Sequence, residues 1–516
     1  MENEYNSSTQ PVPMRHRRSV GFRLLQIALF FVLTLATVIA LFYAEENWRG
    51  YRGLKQYRAE QEAKGEVIDW QSIIPPAIPD DRNLAMTPLF QPLLDYERVA
   101  GKPEWRSDGE EAKAFKVINK GPRMPGAHEG RLIDLAGWER QLRHVSSTFD
   151  PQAKTTAVSL LAEMKQFDPQ FKELQQAIVS RPEGRWPVKY EENFGCLVPH
   201  LAVLKDIVMA SVLRTAAHLE LRQGQEAFED LKVAAAVSDS VKTDPILITH
   251  ILRVAMTAFE VQAVREGLAR RAWTDEQLQF FQDRFTRMNL LAEMKHGLRG
   301  ERAFSVEAIE MARLGKFGPD LWGGPGTQSP RWAKASVLKF APRGWYYQNE
   351  LNVLRFHERY SLAAVDEKAQ RVYPRVNADV EHSITNSETP YNALARMLVP
   401  AVESAISKSA RAQSTVQQCA IASALERYFR AHKEYPDTLQ KLVPQFMAAV
   451  PKDVMDGEPM RYRREKSDSY LLYSVGWNVR DDGGVTASSG KGAINVMEGD
   501  WVWRLRGGQK TASVDE

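Results

Sequence analysis

The sequence predicts a mainly α protein with an N-terminal transmembrane helix, a helical body and a small C-terminal α+β module. Three observations lead there. An uncharged run, LLQIALFFVLTLATVIALFYA, occupies Leu24 to Ala44. Apolar residues then recur at three- and four-residue spacing from about 151 to 314, the period of an α-helix with one buried face. Near the end, SYLLYSVG switches to the period of two that marks a strand.

The apolar run crosses a hydrocarbon core of about 30 Å at 1.5 Å per residue. Its polar members, Gln26, Thr34 and Thr37, are short enough to bond helix carbonyls or reach the interface. A signal peptidase site needs small residues at −3 and −1. A cut after Ala44 would place Phe42 at −3, so an uncleaved anchor is expected. Arg15, Arg17, Arg18 and Arg23 precede the run, and Arg49, Arg52, Lys55 and Arg58 follow it. The counts tie, but the first cluster forms the usual basic start of a signal anchor. Residues 1–23 are therefore expected to be a cytoplasmic tail, 24–44 the anchor, and the rest an exported body. RRSVGFRLLQIALF also resembles a type IV prepilin signal cut at Gly21-Phe22. It departs from that pattern at Gln26, where the pattern implies a glutamate.

Residues 45–150 read as a juxtamembrane helix, NWRGYRGLKQYRAEQEAKGE, followed by a connector stiffened by Pro75, Pro76, Pro79 and Pro88. Trp48 and Tyr51 are placed at headgroup level. In the body, 151–314, Leu201, Leu204, Ile207, Val208, Val212, Ala216 and Leu219 mark one helix, with a stop expected at Gln223-Gly224. Ala227, Leu231, Ala234 and Ala235 mark the next. Thr274 and Gln277 form a capping box that opens TDEQLQFFQDRFTRM. These small-residue-rich hairpins resemble tetratricopeptide-like units of an α-solenoid. No strict 34-residue period is present, so an irregular helical bundle stands beside that reading.

Residues 315–344 are about a third Gly and Pro against a usual 12 %, and read as a loop carrying Trp322 and Trp332. A helical continuation follows over 345–400. The final module, 401–505, begins with a long helix ending in ALERYFRAHKEYP. Tyr435-Pro436 forces the chain out of helix, Asp437 with Gln440 is expected to cap a short helix, and two strands place Met460 with Tyr462 and alternate Leu471, Tyr473 and Val475 against Tyr470, Leu472 and Ser474. Residues 506–516 read as a disordered tail.

LERYFRAHKEYPDTLQKLVP, VPKDVMDGEPMRYRR and YLLYSVGWNVRDDGG followed by GDWVW together resemble the C-terminal part of the major pseudopilin of type II secretion systems. The resemblance implies a calcium-binding loop, with Asn478, Asp481, Asp482 and Asp500 as candidate ligands beside carbonyls near Ser474. Clustered carboxylates and carbonyls are the hard oxygen donors calcium takes. The usual Asp-Gly of that loop is Asn478-Val479 here, and a solvated turn is the plain alternative. The layout of anchor, NWRGY, PPAIPDD, helical body and YP…DG…YSVG ending also resembles a group of bacterial membrane-anchored proteins with no established activity. It implies an inner-membrane, single-pass protein.

The formal charge of +3 over 516 residues gives no electrostatic argument for nucleic acid. The histidines never fall close enough for HExxH, and HERYS at His357 lacks the second histidine. GVTASSGKG is a near miss for a P-loop, with Gly492 where Ser or Thr would hold magnesium. Glu301, Glu191 and Glu192 read as solvated or structural acids rather than catalytic ones, and GRWPVKY as a packed corner, with a groove lining as the alternative. Cys196 and Cys419 stand far apart in no metal pattern. The resulting expectation is a non-enzymatic envelope scaffold whose partners are the membrane and other envelope proteins. A secretion- or pilus-like component and an envelope hydrolase stand as alternatives, and no cofactor other than calcium is expected.

Overall fold

The computed structural model describes residues 20–99, 102–143, 155–316, 340–378, 389–398, 402–488 and 494–504. The basic tail through Arg18, the loop tryptophans Trp322 and Trp332 and the final tail lie outside the described residues. Numbering α-helices of six residues or more, α1 spans Val20–Ala63, α2 Leu135–Arg143, α3 Thr156–Met164 and α4 Asp168–Ser180. Next come α5 His200–Glu220, α6 Gly224–Asp239, α7 Leu247–Arg270, α8 Asp275–Arg287 and α9 Leu290–Arg313. The remainder are α10 Arg343–Phe356, α11 Ala393–Leu398 and α12 Val402–His432.

α1 is one unbroken helix about 66 Å long by its rise. Its apolar half is exposed along its whole surface and is long and apolar enough to cross a membrane. Thr34 and Thr37 donate to the carbonyls of Phe30 and Leu33, each at 2.8 Å, so neither hydroxyl is left unsatisfied in the apolar stretch. α7 passes the same length and composition test, but just over half of its most apolar stretch is buried within the protein. It is a core helix.

α5 and α6 form an antiparallel hairpin and α7 packs across it. Its turn departs from the expected stop at Gly224. Arg222 takes the left-handed conformation with φ 61°, and Gly224 already opens α6. The capping box does form: Thr274 Oγ1 accepts from the Gln277 amide at 3.2 Å, and Gln277 Oε1 accepts from the Thr274 amide at 3.0 Å.

α12, from the far end of the chain, lies against α7, α8 and α9. In a solenoid each unit touches only its neighbours. This long-range insertion is the packing of a bundle. One apolar core therefore runs from Leu84 to Trp503. On its outer side α12 meets a three-stranded antiparallel sheet of β1 (Arg461–Lys466), β2 (Ser469–Ser474) and β3 (Trp501–Arg504), in the order β1-β2-β3. Tyr470 and Leu472 enter the main core, while Leu471 and Tyr473 pack with Val502 on the opposite face. The alternation is as expected, but both faces are buried.

Tyr435 ends α12 from inside the core. Its hydroxyl donates to Glu426 Oε2 at 2.9 Å, and its ring meets Tyr470 edge-on at 4.8 Å. The short helix that follows is a single 3-10 turn, Leu439–Leu442, with Thr438 at its N-cap and no side-chain cap bond. Asp437 pairs instead with Lys441 and Arg464. Two cations within reach outcompete the turn amides for that carboxylate.

Candidate functional site

The functional geometry of the chain concentrates where α1 leaves its apolar half and joins the body. Glu46, Gly50, Leu54, Tyr57 and Gln61 are buried, a spacing of three and four that puts them on one stripe. That stripe lies along α10. The approach is set by glycines on both sides. A Cβ on Gly50 would lie 2.6 Å from the Gly344 carbonyl oxygen, and a Cβ on Gly344 would overlap the carbonyl of Glu46. Asn47 Oδ1 accepts from the Gly344 amide at 2.8 Å. Leu54 and Tyr57 then share a core with Tyr346, Leu351, Leu354 and Ile309.

Ion pairs continue the seam. Arg58 meets Glu350 at 3.2 Å. Burial pushes the Glu350 carboxyl up to about 7, against the pull of Arg58. Beyond the end of α1, Glu66 bonds Arg302 at 3.0 Å and Arg299 at 3.3 Å. The helix that carries the apolar run is thus fastened to the body over about four turns, with no flexible linker between.

Around the exit of the apolar run sits a ring of aromatic and basic groups. Tyr43 donates to the carbonyl of Phe340, whose side chain is 78 % exposed. Trp48 and Tyr51 are exposed. Tyr51 meets Tyr347 edge-on at 5.8 Å, and the Arg52 guanidinium lies 5.2 Å from the Trp48 ring. Amphipathic rings with adjacent cations are the side chains favoured at headgroup level.

About 20 Å further along α1, a cavity of 910 Å³ opens between α1, α10, α11 and the π-helical turn His357–Leu362. Arg355, Arg359 and Arg396 line it, with Tyr57, Phe356 and Tyr360. Glu358, also on the lining, accepts from Tyr57, from Gln61 at 3.0 Å and from Lys64 at 3.1 Å. Burial opposes ionisation of Glu358, but those bonds hold its carboxyl below the usual range. Burial, with the bond to Glu358, pushes the Tyr57 phenol well above its ordinary value. The sequence HERYS, notable at first only as an incomplete zinc motif, builds this π turn. The turn itself had no sequence signal, because a π-helix differs from an α-helix by one inserted residue and keeps the same composition.

Asn478, Asp481 and Asp482 share one loop near the sheet, and Asp500 meets it from the residue before the strand Trp501–Arg504. Asp500 accepts from the Gly484 amide at 2.6 Å and the Asp482 amide at 3.3 Å. Asp481 accepts from Tyr473 at 3.2 Å and from the Gly483 amide at 2.9 Å. Asn478 Nδ2 donates to Asp482 at 3.3 Å. Among the described residues, no three His, Cys, Asp or Glu side chains come together as a metal-binding group. Ser474 turns its hydroxyl to Asp453 at 2.8 Å.

The structural acids lie elsewhere. Glu301 is on α9, and burial pushes its carboxyl up to about 7. Glu191 and Glu192 sit in the turn before α5. In GRWPVKY, Trp186 is buried, stacks on His200 at 4.4 Å and donates to Ser240 at 3.1 Å, which makes that stretch a packed corner. Cys196 precedes α5 and Cys419 is buried in α12, and no disulfide joins them. No protein-family model, curated protein or solved structure matches this chain.

Proposed function

We propose that the chain is a membrane-anchored scaffold of the bacterial envelope, with its body outside the cytosol and a role in holding protein partners rather than in catalysis. The observation that carries this reading is the Gly50–Gly344 crossing. It makes the apolar half of α1 and the helical body one rigid piece, so the body is held at a fixed height and angle above the bilayer. A fixed height and angle suit a scaffold that presents one face to its neighbours. The aromatic and basic ring around Trp48 supports the same placement.

Crosslinking in intact membranes followed by pulldown of the full chain tests it. One stable envelope partner is the expected result. Recovery of the protein as freely soluble, or exposure of the body to the cytosol in a protease-protection assay, overturns it. A second reading, a subunit of a type II secretion or pilus-like apparatus, rests on the long α12 laid across an antiparallel sheet, which is the layout the pseudopilin resemblance implies. Secretion subunits among the crosslinked partners, with cleavage after Gly21, would favour it over the first.

A further inference from the structure

We propose that the cavity at the π turn binds a small soluble organic anion, carrying phosphate or carboxylate groups beside a flat or apolar portion. Three guanidiniums, from α10, the π turn and α11, line one cavity. Arg355, Arg359 and Arg396 have no carboxylate partner among the described residues, although ion pairs are common elsewhere on α1, α9 and α10. Glu60 and Glu358 share the lining, so its three cations exceed its acids by one, and an oxyanion among the arginines lowers their mutual repulsion. The planar guanidinium fork fits phosphate and carboxylate in bidentate fashion.

The two acids on the lining do not fill this role. Glu358 is taken by Tyr57, Gln61 and Lys64. Glu60 accepts from Gln56 at 3.0 Å. The amide of Asn352 is spent on the Tyr391 carbonyl at 2.8 Å. What remains for a ligand is the three arginines and an aromatic wall, where Phe356 and Tyr360 lie 5.3 Å apart at a tilt. The 910 Å³ volume falls in the range of small-molecule sites.

A lipid headgroup is the other source of such chemistry, and geometry disfavours it. Tyr57 lies thirteen residues beyond Ala44 on one straight helix, about 20 Å past the apolar run. The headgroup zone extends only about 5–8 Å beyond the hydrocarbon on each side. Even a strongly tilted α1 leaves the cavity above it.

The test uses the full chain in nanodiscs of phosphatidylcholine, titrated with inorganic pyrophosphate and with citrate by calorimetry. Saturable binding of at least one probe is expected, weakened about tenfold by Arg359→Ala or Arg396→Ala. Arg480→Ala, on the remote exposed loop, should leave binding unchanged, and circular dichroism checks that the variants fold. The proposal is overturned by absence of saturable binding to the wild type, or by equal binding in the Arg355→Ala/Arg359→Ala/Arg396→Ala variant. It is also overturned if nanodiscs rich in phosphatidylglycerol abolish probe binding, which would assign the cavity to lipid. Binding of an oligoglutamate peptide with neither small anion bound would assign it to protein, and overturns it equally.

Discussion

Gly50 and Gly344 meet backbone to backbone, with the carbonyl of Gly344 placed 2.6 Å from where a Gly50 Cβ would stand. Nothing but glycine fits on either side without moving one helix. The helix of the apolar run and the body are therefore joined by packing as well as by chain continuity.

Gly344→Ala should drive α10 off α1. The Glu46 carbonyl cannot yield as a side-chain end would, and overpacking of this kind costs about 1–3 kcal/mol. Thermal unfolding in detergent should show the loss, and limited proteolysis should newly cut α1 beyond Ala44. Gly53→Ala is the internal control. Its Cβ meets only a Leu351 methyl at 3.4 Å, so the gain in helix propensity, up to about 1 kcal/mol, should leave stability equal or higher.

Tyr435→Phe removes the hydroxyl that donates to Glu426. Glu426 is 2 % exposed, with Arg271 at 3.7 Å. A buried acceptor left short of a donor costs about 1–3 kcal/mol. Chemical denaturation should record a lower midpoint with an unchanged slope, since α12 and the sheet still unfold together.

Inside the bundle, Arg253 lies 2.6 Å from Asp239, 3.4 Å from Glu293 and 3.8 Å from Glu260. Arg284 also holds Asp239 and Glu260, at 2.6 and 2.8 Å. Arg253→Met should destabilise by about 3–5 kcal/mol, because it takes the buried paired cation from Glu293 while Arg284 still holds Asp239 and Glu260. Burial already raises the Glu293 carboxyl against the pull of Arg253, so the loss should shrink as the solution is acidified and that acid protonates. A loss that is constant between pH 5 and 8 would contradict the account.

Glu301 gives a pH signature of the opposite sense to an ion-paired acid. Its folded pKa, about 7, exceeds the ordinary glutamate value of about 4.3. The folded state thus holds a proton that the unfolded state has lost between those limits. The stability it carries is complete below about 4.3 and drains away as pH rises to about 7. Glu301→Gln should therefore melt higher than the wild type at pH 8, by on the order of 2 kcal/mol in stability, and equal it near pH 4.5. Melting curves across that range check the convergence.

Much of this architecture was legible in order along the chain. The absence of charge from Leu24 to Ala44 fixed the apolar helix, Thr274 with Gln277 fixed the start of α8, and the alternation in SYLLYSVG fixed β2. These are local signals, carried by residues within a few positions of each other, and the backbone answers them the same way in most surroundings. The competition for Asp437 was not local: Arg464, 27 residues on in a strand, took the carboxylate meant for a cap. The left-handed residue after α5 was likewise Arg222 and not the glycine two positions on.

By itself, then, the sequence determined where helices and strands lie and which of their faces are apolar. Only the tertiary structure decided what those faces meet: that α12 enters the bundle, that Gly50 finds Gly344 across nearly three hundred residues, and that three arginines from three elements line one cavity. Periodicity records that a face must leave water, since the gain depends on area alone, whereas the choice of partner depends on shape, which no window of sequence contains.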